Sequence, residues 1–299
     1  MTDPTMPMRR SYGPYTCIKV MGSGPNHTVY AAIHQESGRR VALRVMSVMQ
    51  ENSAEILAAC EEQLARIAAL DTPYLVRLED YGNDGSTLFS ATALMQGGSL
   101  EMRYKYFAEQ GIHPRPLPSL GEVAELLDRM ATTLDDLHAR EIVHGQLDPR
   151  NIMLDGEGHA FLADVGLTKL TKIIYGLEST NSFFVSNYAA PELWEGARLE
   201  PASDRYSLAC VIYELLTGRP PYQGDTIYDL MQKHNRDVAR PPHLLRPGLP
   251  EALAMIFWQA LAKPTDRRYP SAARFAEEFA KAIAGADDAP TGFFTAPLR

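Results

Sequence analysis

The segment from His144 to Gly166, HGQLDPRNIMLDGEGHAFLADVG, constrains the fold of this chain more than any other. It begins with a polar loop and continues with two apolar runs, IML and AFL, which a stretch rich in glycine and aspartate separates. It ends on the tripeptide Asp164-Val165-Gly166. The pattern predicts a polar loop followed by two short strands and a turn.

Composition narrows the class of protein. With 299 residues, 45% hydrophobic and 22% charged, the chain can bury a substantial core, which excludes wholesale disorder. A net charge of −8 without a dense basic face argues against a nucleic-acid partner. Cys17, Cys60 and Cys210 are far apart and odd in number, which favours unpaired thiols in a reducing compartment. The amino-terminal residues lack the apolar run of a signal peptide, and the longest apolar run, Tyr206–Leu216, is too short to span a bilayer. We therefore expect a soluble, cytoplasmic chain with no membrane segment.

The first part of the chain predicts a small sheet and one helix. Residues 1–14 are polar and proline-rich, which is typical of a disordered lead-in. From Tyr15, β-branched and aromatic runs alternate with turns, as strands do. The turn GSGPNHTV carries Gly22 and Gly24, with His27 where a third glycine of a phosphate-binding loop would stand. An apolar stripe at helical spacing predicts a helix over Ser53–Leu70.

The order and spacing of five separated motifs resemble the protein kinase family, and most of all the bacterial eukaryotic-like (Hanks-type) Ser/Thr kinases. The motifs are the glycine-rich turn, VALRV, HGQLDPRN with DVG, YAAPEL, and SDRYSL with GRPPYQG and RYPSAA. The resemblance covers residues 15–284 and implies an α+β, bilobal fold. Residues 15–96 would form a small β-rich N-lobe and residues 97–284 a larger, mainly α-helical C-lobe. Residues 285–299, rich in proline and glycine, are predicted to be a flexible tail.

The resemblance implies a candidate site for ATP and Mg²⁺. Arg44 stands where a kinase lysine grips the phosphates, and Gln63 stands where the glutamate that pairs with that lysine is found. Arginine keeps the charge but not the geometry of lysine. Asn151 and Asp164 stand at the metal-binding positions. The candidate nucleotide-binding residues are Gly22, Gly24, Ala42, Arg44, Thr92, Ala93, Met95 and Met153.

Within that candidate site, Thr92 would be the gatekeeper, Ala93–Met95 would offer backbone groups to an adenine edge, and Ala42 and Met153 would be its apolar walls. The alternative is that these are ordinary core residues and that the chain has no cofactor. In that case Asn151 only orders its loop and Asp164 pairs with Arg44.

The catalytic positions themselves are changed. The resemblance places Gln146 at the catalytic aspartate, Asp148 at the lysine that balances charge on the transferred phosphoryl group, and Gly145 at the arginine that anchors a phosphorylated activation segment. Val185 replaces the threonine that bridges the aspartate and lysine. An amide has no useful basicity at neutral pH, and Asp148 reverses the charge beside the phosphoryl group.

Other motifs predict structural pairs that do not depend on catalysis. Asp204 is expected to cap the catalytic loop from below, and Glu192 to pair with Arg268. Ser119 and Glu122 have the spacing of a capping box. Helices are predicted over Glu122–Arg140, Pro250–Ala262 and Ala272–Ala284.

These observations predict a catalytically inactive pseudokinase that acts as a protein-binding scaffold or regulator, with residual nucleotide binding as an open question. One alternative is an atypical active Ser/Thr kinase or ATP-dependent transferase with relocated catalytic residues, for which Asp148 is the only candidate base. A second is a non-hydrolysing ATP sensor. The expected partners are proteins, including an active Ser/Thr kinase or a phosphopeptide-binding domain, because hydroxyl side chains crowd the activation segment and tail. These are Thr168, Thr171, Ser179, Thr180, Ser182, Ser186, Thr291 and Thr295.

Overall fold

The computed structural model describes residues 10–24, 27–48, 53–176, 186–286 and 289–296. Within these ranges the chain divides into two compact units. The sheet unit comprises the described residues up to Asp71 together with Val76–Met95 and Lys169–Gly176. The helical unit comprises Thr72–Leu75, Gln96–Thr168 and the described residues from Ser186 onward.

The sheet unit is built on a six-stranded antiparallel sheet in the order β1-β2-β3-β4-β6-β5. Its core alternates along the strands as the sequence predicts: Val41, Leu43 and Val45 are buried, and the residues between them are partly exposed. One helix, α1, runs over Ser53–Ala68 and packs mainly against β5. The strands are β1 Ser11–Tyr12, β2 Tyr15–Ser23, β3 Thr28–His34, β4 Arg40–Ser47, β5 Leu78–Asp84 and β6 Thr87–Ala93.

The end of the predicted lead-in is ordered by the sheet, which corrects the expectation of disorder for residues 10–14. Ser11 pairs with Thr16 and Tyr12 with Tyr15 in an antiparallel hairpin. Gly13 takes a φ of +51° at its turn, and the ring of Tyr12 packs against the sheet core. Residues 1–9 lie outside the described ranges.

The helical unit surrounds one long buried helix, α6. Tyr206 and Leu208 are fully buried and Tyr213 nearly so, and apolar or small residues occupy almost every position of this helix. A small antiparallel sheet, β7-β8-β9, carries the loop region that opened the sequence analysis. The elements are β7 Gly98–Ser99, α2 Leu100–Glu109, α3 Leu120–Ala139, β8 Ile152–Leu154, β9 Ala160–Leu162, α4 Leu167–Tyr175 (in the sheet unit from Lys169), α5 Pro191–Trp194, α6 Pro201–Thr217, α7 Ile227–Arg236, α8 Leu253–Ala260 and α9 Ala272–Ile283, with 3-10 turns at Pro242–Leu244 and Thr265–Arg267.

The predicted α+β fold, with one β-rich and one mainly helical part, is confirmed by these elements. The predicted capping box is also present: Ser119 Oγ accepts from the Glu122 N–H at 3.1 Å, and Glu122 accepts from the Ser119 N–H at 2.7 Å. The predicted helix Pro250–Ala262 is shorter than expected, since its regular part runs over Leu253–Ala260 after a turn. The other predicted helices end within a few residues of their expected limits, as fraying ends allow.

Residues 291–296 differ from the flexible tail that composition predicts. Phe293 and Phe294 are buried, at 2% and 6% exposure, against the helical unit. A high content of proline and glycine predicts that a segment forms little local structure. It carries no information on the tertiary contacts that two aromatic side chains can make with distant residues.

No helix within the described ranges is long and apolar enough to cross a bilayer.

All three cysteines are buried free thiols, and burial raises the pKa of Cys60 to about 11.

Candidate functional site

The Asp204 carboxylate anchors the loop at residues 144–151, as predicted. Asp204 lies in the first turn of α6 and is almost fully buried. One of its oxygens accepts from the His144 N–H and the other from the Gly145 N–H, both at 2.8 Å. The His138 ring also contacts this carboxylate, with 2.8 Å between Nε2 and Oδ2. Since a buried carboxylate needs several donors, these three contacts explain how its charge is tolerated there.

His144 joins this loop to the strand that follows. Its ring is fully buried, with Nε2 2.8 Å from the carbonyl oxygen of Ala163. A carbonyl only accepts, so Nε2 carries the proton, and Nδ1 then accepts from the Gln146 N–H at 3.2 Å. The histidine therefore holds both the loop and the segment before Asp164 in place.

Asn151 closes the loop from its other end. Its side-chain amide donates to the backbone carbonyl of Gln146 at 2.7 Å, and its own carbonyl accepts from the Ala163 N–H at 2.8 Å. The side-chain nitrogen is thus used structurally, so the amide oxygen is the atom that could bind a cation.

Asp148 is paired inside the loop. The side chain is 5% exposed, and both of its oxygens accept hydrogen bonds from Arg150. Arg150 Nε lies 3.2 Å from Oδ1 and 3.0 Å from Oδ2, a second guanidinium nitrogen contacts Oδ2, and the Arg150 N–H donates to Oδ1 at 2.8 Å. Sequence analysis identified Asp148 but missed Arg150, because a contact between residues two apart in an irregular loop follows no periodic pattern.

Gly145 occupies its position with a φ of +76°, the left-handed region that glycine adopts without strain. A Cβ built there would lie 2.8 Å from a methyl carbon of Leu199 and 3.4 Å from Thr168 Oγ1. Thr168 is itself buried, and its hydroxyl donates to the His144 carbonyl at 3.2 Å. This contact argues against Thr168 as an exposed phosphorylation site.

The predicted pair between Glu192 and Arg268 is confirmed. The buried guanidinium donates to both carboxylate oxygens at 2.8 Å, and also to the carbonyls of Ala202, Ala262 and Lys263. Burial acts in the opposite direction, but the hydrogen bonds and charge of Arg268 lower the pKa of Glu192 below its usual value.

A second buried network was not found from the sequence. Glu214 on α6 accepts from the Tyr188 hydroxyl and from Arg115, whose guanidinium also lies over the Tyr104 ring at 3.6 Å from its centre. Burial raises the pKa of Glu214 above its usual value, although Tyr188 and Arg115 act against this shift. The two partners of Glu214 come from separate parts of the chain, so no local signal predicts them. The network fixes the end of the segment that leads into α5.

The nucleotide-binding candidates of the sheet unit share one strand pair. Arg44 lies on β4 opposite Ser90, and Ala42 lies opposite Thr92 of β6. Ala42, Arg44, Thr92, Ala93 and Met95 are all partly exposed rather than buried, unlike the core residues that alternate with them. Gly22 of β2 pairs with Val29 of β3, and the Gly24 N–H donates to the His27 carbonyl at 2.9 Å. Partial exposure distinguishes these positions from the buried residues that alternate with them on the same strands.

The candidates of the helical unit lie on the β8–β9 hairpin and at its ends. Met153 of β8 pairs with Phe161 and is partly exposed. Asp164 follows β9 with a φ of +63°, unusual for a residue other than glycine, and its carbonyl accepts from the Leu167 N–H at 3.2 Å. The structure brings Asn151 and Asp164 into one neighbourhood through the Ala163–Asn151 hydrogen bond.

The two glutamates next to Gln63 on helix α1 have other partners. Gln63 is partly exposed, while Glu62 forms an exposed ion pair with Arg66 one turn on, at 2.6 Å. Glu61 accepts from the Asn83 side chain at 2.6 Å. Both neighbouring carboxylates are thus engaged elsewhere on the sheet unit.

Part of the predicted site falls outside the described residues. Val185 is one such position, and so are Ser179, Thr180 and Ser182 of the activation segment.

The described residues contain no cluster of three or more histidine, cysteine, aspartate or glutamate side chains that could hold a metal ion. A magnesium ion bound with ATP needs fewer protein ligands, because phosphates and water complete its shell. Asn151 and Asp164 supply oxygen donors of the kind that Mg²⁺ prefers, so the residues present fit such an ion only in company with a nucleotide.

Comparisons with known proteins identify the class to which this fold and loop belong. The family model described as "Protein kinase domain" matches residues 15–278. The solved PknI kinase domain from Mycobacterium tuberculosis has the same fold, with a TM-score of 0.68 and 23% identity over 93% of this chain and 99% of that chain.

The chain belongs to the protein kinase family. Its relatives include the Ser/Thr protein kinase PknD of Mycobacterium tuberculosis, which is 30% identical over 91% of this chain and 40% of the relative. PknH of Mycobacterium bovis is 29% identical over 92% of this chain and 45% of the relative. The chain spans less than half the length of these curated relatives.

Proposed function

We propose that this chain is a pseudokinase that acts by binding a protein partner, as a scaffold or regulator, and does not transfer phosphate at a useful rate. The observation that carries this proposal is the pairing of Asp148 with Arg150 beside Gln146. Residues 144–151 contain a single carboxylate, and both of its oxygens already accept hydrogen bonds.

A general base must reach the hydroxyl from which it takes a proton. To serve as that base, Asp148 would have to release a guanidinium and a backbone N–H, and it is almost completely buried. Loss of a general base lowers a rate by about 10²–10⁴, and loss of an electrostatic stabiliser by about another 10²–10³. These factors are not strictly additive as free energies, but either one leaves a poor enzyme.

The test is a transfer assay with labelled ATP, with Mg²⁺ or Mn²⁺, and with both the chain itself and a generic protein as acceptor. We expect no transfer that depends on Asp148 or Asp164. The matched variants are Asp148→Asn and Asp164→Asn, each checked for folding by circular dichroism. Turnover in the wild-type chain that disappears in both folded variants would refute the proposal.

The second candidate is an atypical active Ser/Thr kinase with a relocated base. The observation that favours it is the comparison itself, since the relatives are named Ser/Thr protein kinases. The frame of the loop supports it too, because His144, Asn151 and Asp204 keep their hydrogen bonds around Gln146. The assay above separates the two candidates directly.

ATP and Mg²⁺ are the cofactors that protein kinases generally use. For this chain we propose that Asn151 and Asp164, both in the helical unit, hold the ion. Bound nucleotide would supply the phosphates that complete the ion's ligands. A thermal-shift titration checks this, since a ligand at 100 times its Kd adds about 2.7 kcal/mol to the free energy of unfolding. An unchanged Tm up to millimolar ATP would contradict nucleotide binding and also the role of an ATP sensor.

Restoring the kinase residues at positions 146 and 148 tests whether the loss of activity is confined to these two side chains. We expect the double variant Gln146→Asp with Asp148→Lys to stay far below an ordinary kinase rate of about 1–100 s⁻¹. The new lysine would replace a buried carboxylate beside Arg150, so two cations would meet where an ion pair stood. Recovery to an ordinary rate would mean that the defect is confined to these two side chains.

A further inference from the structure

The tail segment, residues 289–296, is held on the helical unit by specific contacts from α2. Arg103 is 2% exposed, and its guanidinium donates to the carbonyls of Phe293 at 3.0 Å and Ala296 at 2.7 Å. A buried cation aimed at two backbone carbonyls is a strong anchor, because each of these bonds is charge-assisted.

Aromatic packing fills the space beside this anchor. The Phe293 ring stacks on Phe107, with ring centres 5.5 Å apart, and lies 6.4 Å from the ring of Tyr104. Next to it, the backbone of Phe294 approaches Gly158 so closely that a Cβ there would lie 2.9 Å from the Phe294 carbonyl oxygen. A fit of this kind identifies a docking site rather than a chance contact.

The third part of the docking site is the Glu122 carboxylate at the start of α3. One oxygen accepts from the Gly292 N–H at 3.0 Å. The other accepts from the Thr291 N–H at 3.0 Å, from the Thr291 hydroxyl at 2.8 Å and from the Ser119 N–H at 2.7 Å. Among the described residues no cation is paired with Glu122. Burial acts against ionisation, but the hydrogen bonds from Ser119 and Thr291 lower the pKa of Glu122 below its usual value, so it is an anion at neutral pH.

We propose that Thr291 is a phosphorylation site whose modification releases the tail segment from the helical unit. The reagents are ATP and a Ser/Thr protein kinase acting in trans. The Thr291 oxygen forms a bond to the γ-phosphorus of ATP, the bond between that phosphorus and the bridging oxygen breaks, ADP leaves, and the hydroxyl proton passes to the kinase's base. The side chain of Thr291 is exposed, so the residue is open to such an enzyme. This proposal does not depend on whether the chain itself is active.

Three consequences of the phosphate act in the same direction. The modified oxygen no longer donates to Glu122, and as an ester oxygen it is a poorer acceptor for the Phe293 N–H, which contacts it at 3.2 Å. A group with close to two negative charges is then placed beside a carboxylate. Even at the dielectric constant of water, such repulsion at about 4 Å weakens docking by at least tenfold.

The helix N-terminus does not offset this repulsion. An anion is stabilised at the first turn of a helix, but at α3 Glu122 already occupies that place and is bonded to the Ser119 N–H. The Glu122 N–H is bonded to Ser119 Oγ. A phosphate at residue 291 would therefore have to displace a carboxylate that belongs to the capping box.

Hydrogen exchange of the full chain measures the release. We expect the amides of residues 291–296 to exchange slowly in the unmodified protein and at least tenfold faster when phosphothreonine is installed at position 291. Thr295 provides the matched control within the same segment, since it is exposed and its hydroxyl donates to the Gly292 carbonyl rather than to a carboxylate. Phosphothreonine at 295 should leave most of the protection in place.

Glu122→Gln tests the cause, because it removes the charge that repels the phosphate. Its NH₂ group cannot accept the hydrogen bonds of the oxygen it replaces, so exchange is compared between the modified and unmodified forms of this variant. In this variant phosphorylation of Thr291 should have a smaller effect than in the wild type. Exchange of the α3 amides reports in the same experiment whether the capping box and the helix survive. If α3 is disturbed, Thr291→Glu in the wild-type background takes its place and should accelerate exchange relative to Thr291→Val.

Two results of the exchange experiment would overturn the proposal. One is a tail segment that stays equally protected with phosphothreonine at 291, which would mean that the phosphate finds partners on α3. The other is equal release by phosphothreonine at 295, which would assign the effect to negative charge in general. Incubation with an active bacterial Ser/Thr kinase and ATP should also modify Thr291, and a kinase that modifies other sites of the chain but not this one would refute its role as a site.

Discussion

Replacing Asp204 with asparagine should destabilise this protein severely, because one carboxylate serves three donors in a place without water access. Asparagine keeps the shape but offers one oxygen and one NH₂ group. If that oxygen faces the His144 N–H, the NH₂ group faces the Gly145 N–H, and a buried donor is left without an acceptor.

The magnitude follows from the lost contacts. An unsatisfied buried donor costs about 1–3 kcal/mol, and the remaining bonds lose the benefit of a charged acceptor, each worth about 1.5–3 kcal/mol when charged and about half that when neutral. With two remaining bonds, the sum is about 2.5–6 kcal/mol. For a domain of this size, each kcal/mol lowers Tm by about 2–4 °C, so we expect a fall of at least about 5 °C.

Urea unfolding and hydrogen exchange at residues 144 and 145 measure this effect. The matched control is Glu101→Gln, which removes an exposed pair with Lys105 and should cost no more than about 0.5 kcal/mol. If Asp204→Asn is no more destabilising than this control, the loop does not depend on the carboxylate and the reasoning about its frame is wrong.

Three further predictions concern other parts of this frame. Arg268→Lys should cost about 2–4 kcal/mol in urea unfolding, because lysine cannot serve two carboxylate oxygens and three carbonyls at once, and a cost under 1 kcal/mol would contradict the importance of the guanidinium fork. Folding lowers the pKa of Glu192, so the contribution of this carboxylate to the free energy of unfolding is complete above its unfolded pKa of about 4.5 and is lost as the pH falls through the folded pKa. Below pH 4.5 the stability of Glu192→Gln should therefore fall less steeply than that of the wild type. Parallel curves of stability against pH would refute this. Gly145→Ala should cost more than Gly38→Ala, since both have a positive φ, worth about 1–2 kcal/mol, but only at Gly145 does a Cβ meet a neighbour; equal costs in the same assay would show that space at Gly145 is not limiting.

The parts of the site that could be predicted from sequence depend on motif spacing within one shared fold. The anchoring of the loop by Asp204 and the pairing of Glu192 with Arg268 are of this kind, because the fold brings fixed motif positions together whatever lies between them. The capping box at Ser119 and Glu122 needed only local spacing. The hairpin at residues 11–16 also had a local signal, the Gly13-Pro14 turn between aromatic residues, which the polar composition of the lead-in concealed.

The parts that could not be predicted depend on contacts that leave no pattern along the chain. Arg103 meets the Phe293 carbonyl across 190 residues, and Arg115 meets Glu214 across 99. Such pairs are decided by packing in three dimensions, and neither residue differs in sequence from any surface arginine. The pair of Asp148 and Arg150 is local, but it depends on the exact path of an irregular loop.

The atoms that hold the loop at residues 144–151 in its conformation differ from those that would take part in phosphoryl transfer. The conformation can therefore be kept when the reactive side chains change. The loop is held by the side chains of His144, Asn151 and Asp204 and by the backbone of residue 146, and none of these contacts uses the side chain of Gln146. A glutamine there leaves the fold in place, so likeness of fold to active kinases carries no information about the rate of phosphoryl transfer. Activity has to be argued from the side chains at 146 and 148 themselves. The first is an amide without useful basicity, and the second is a carboxylate whose oxygens are held by Arg150.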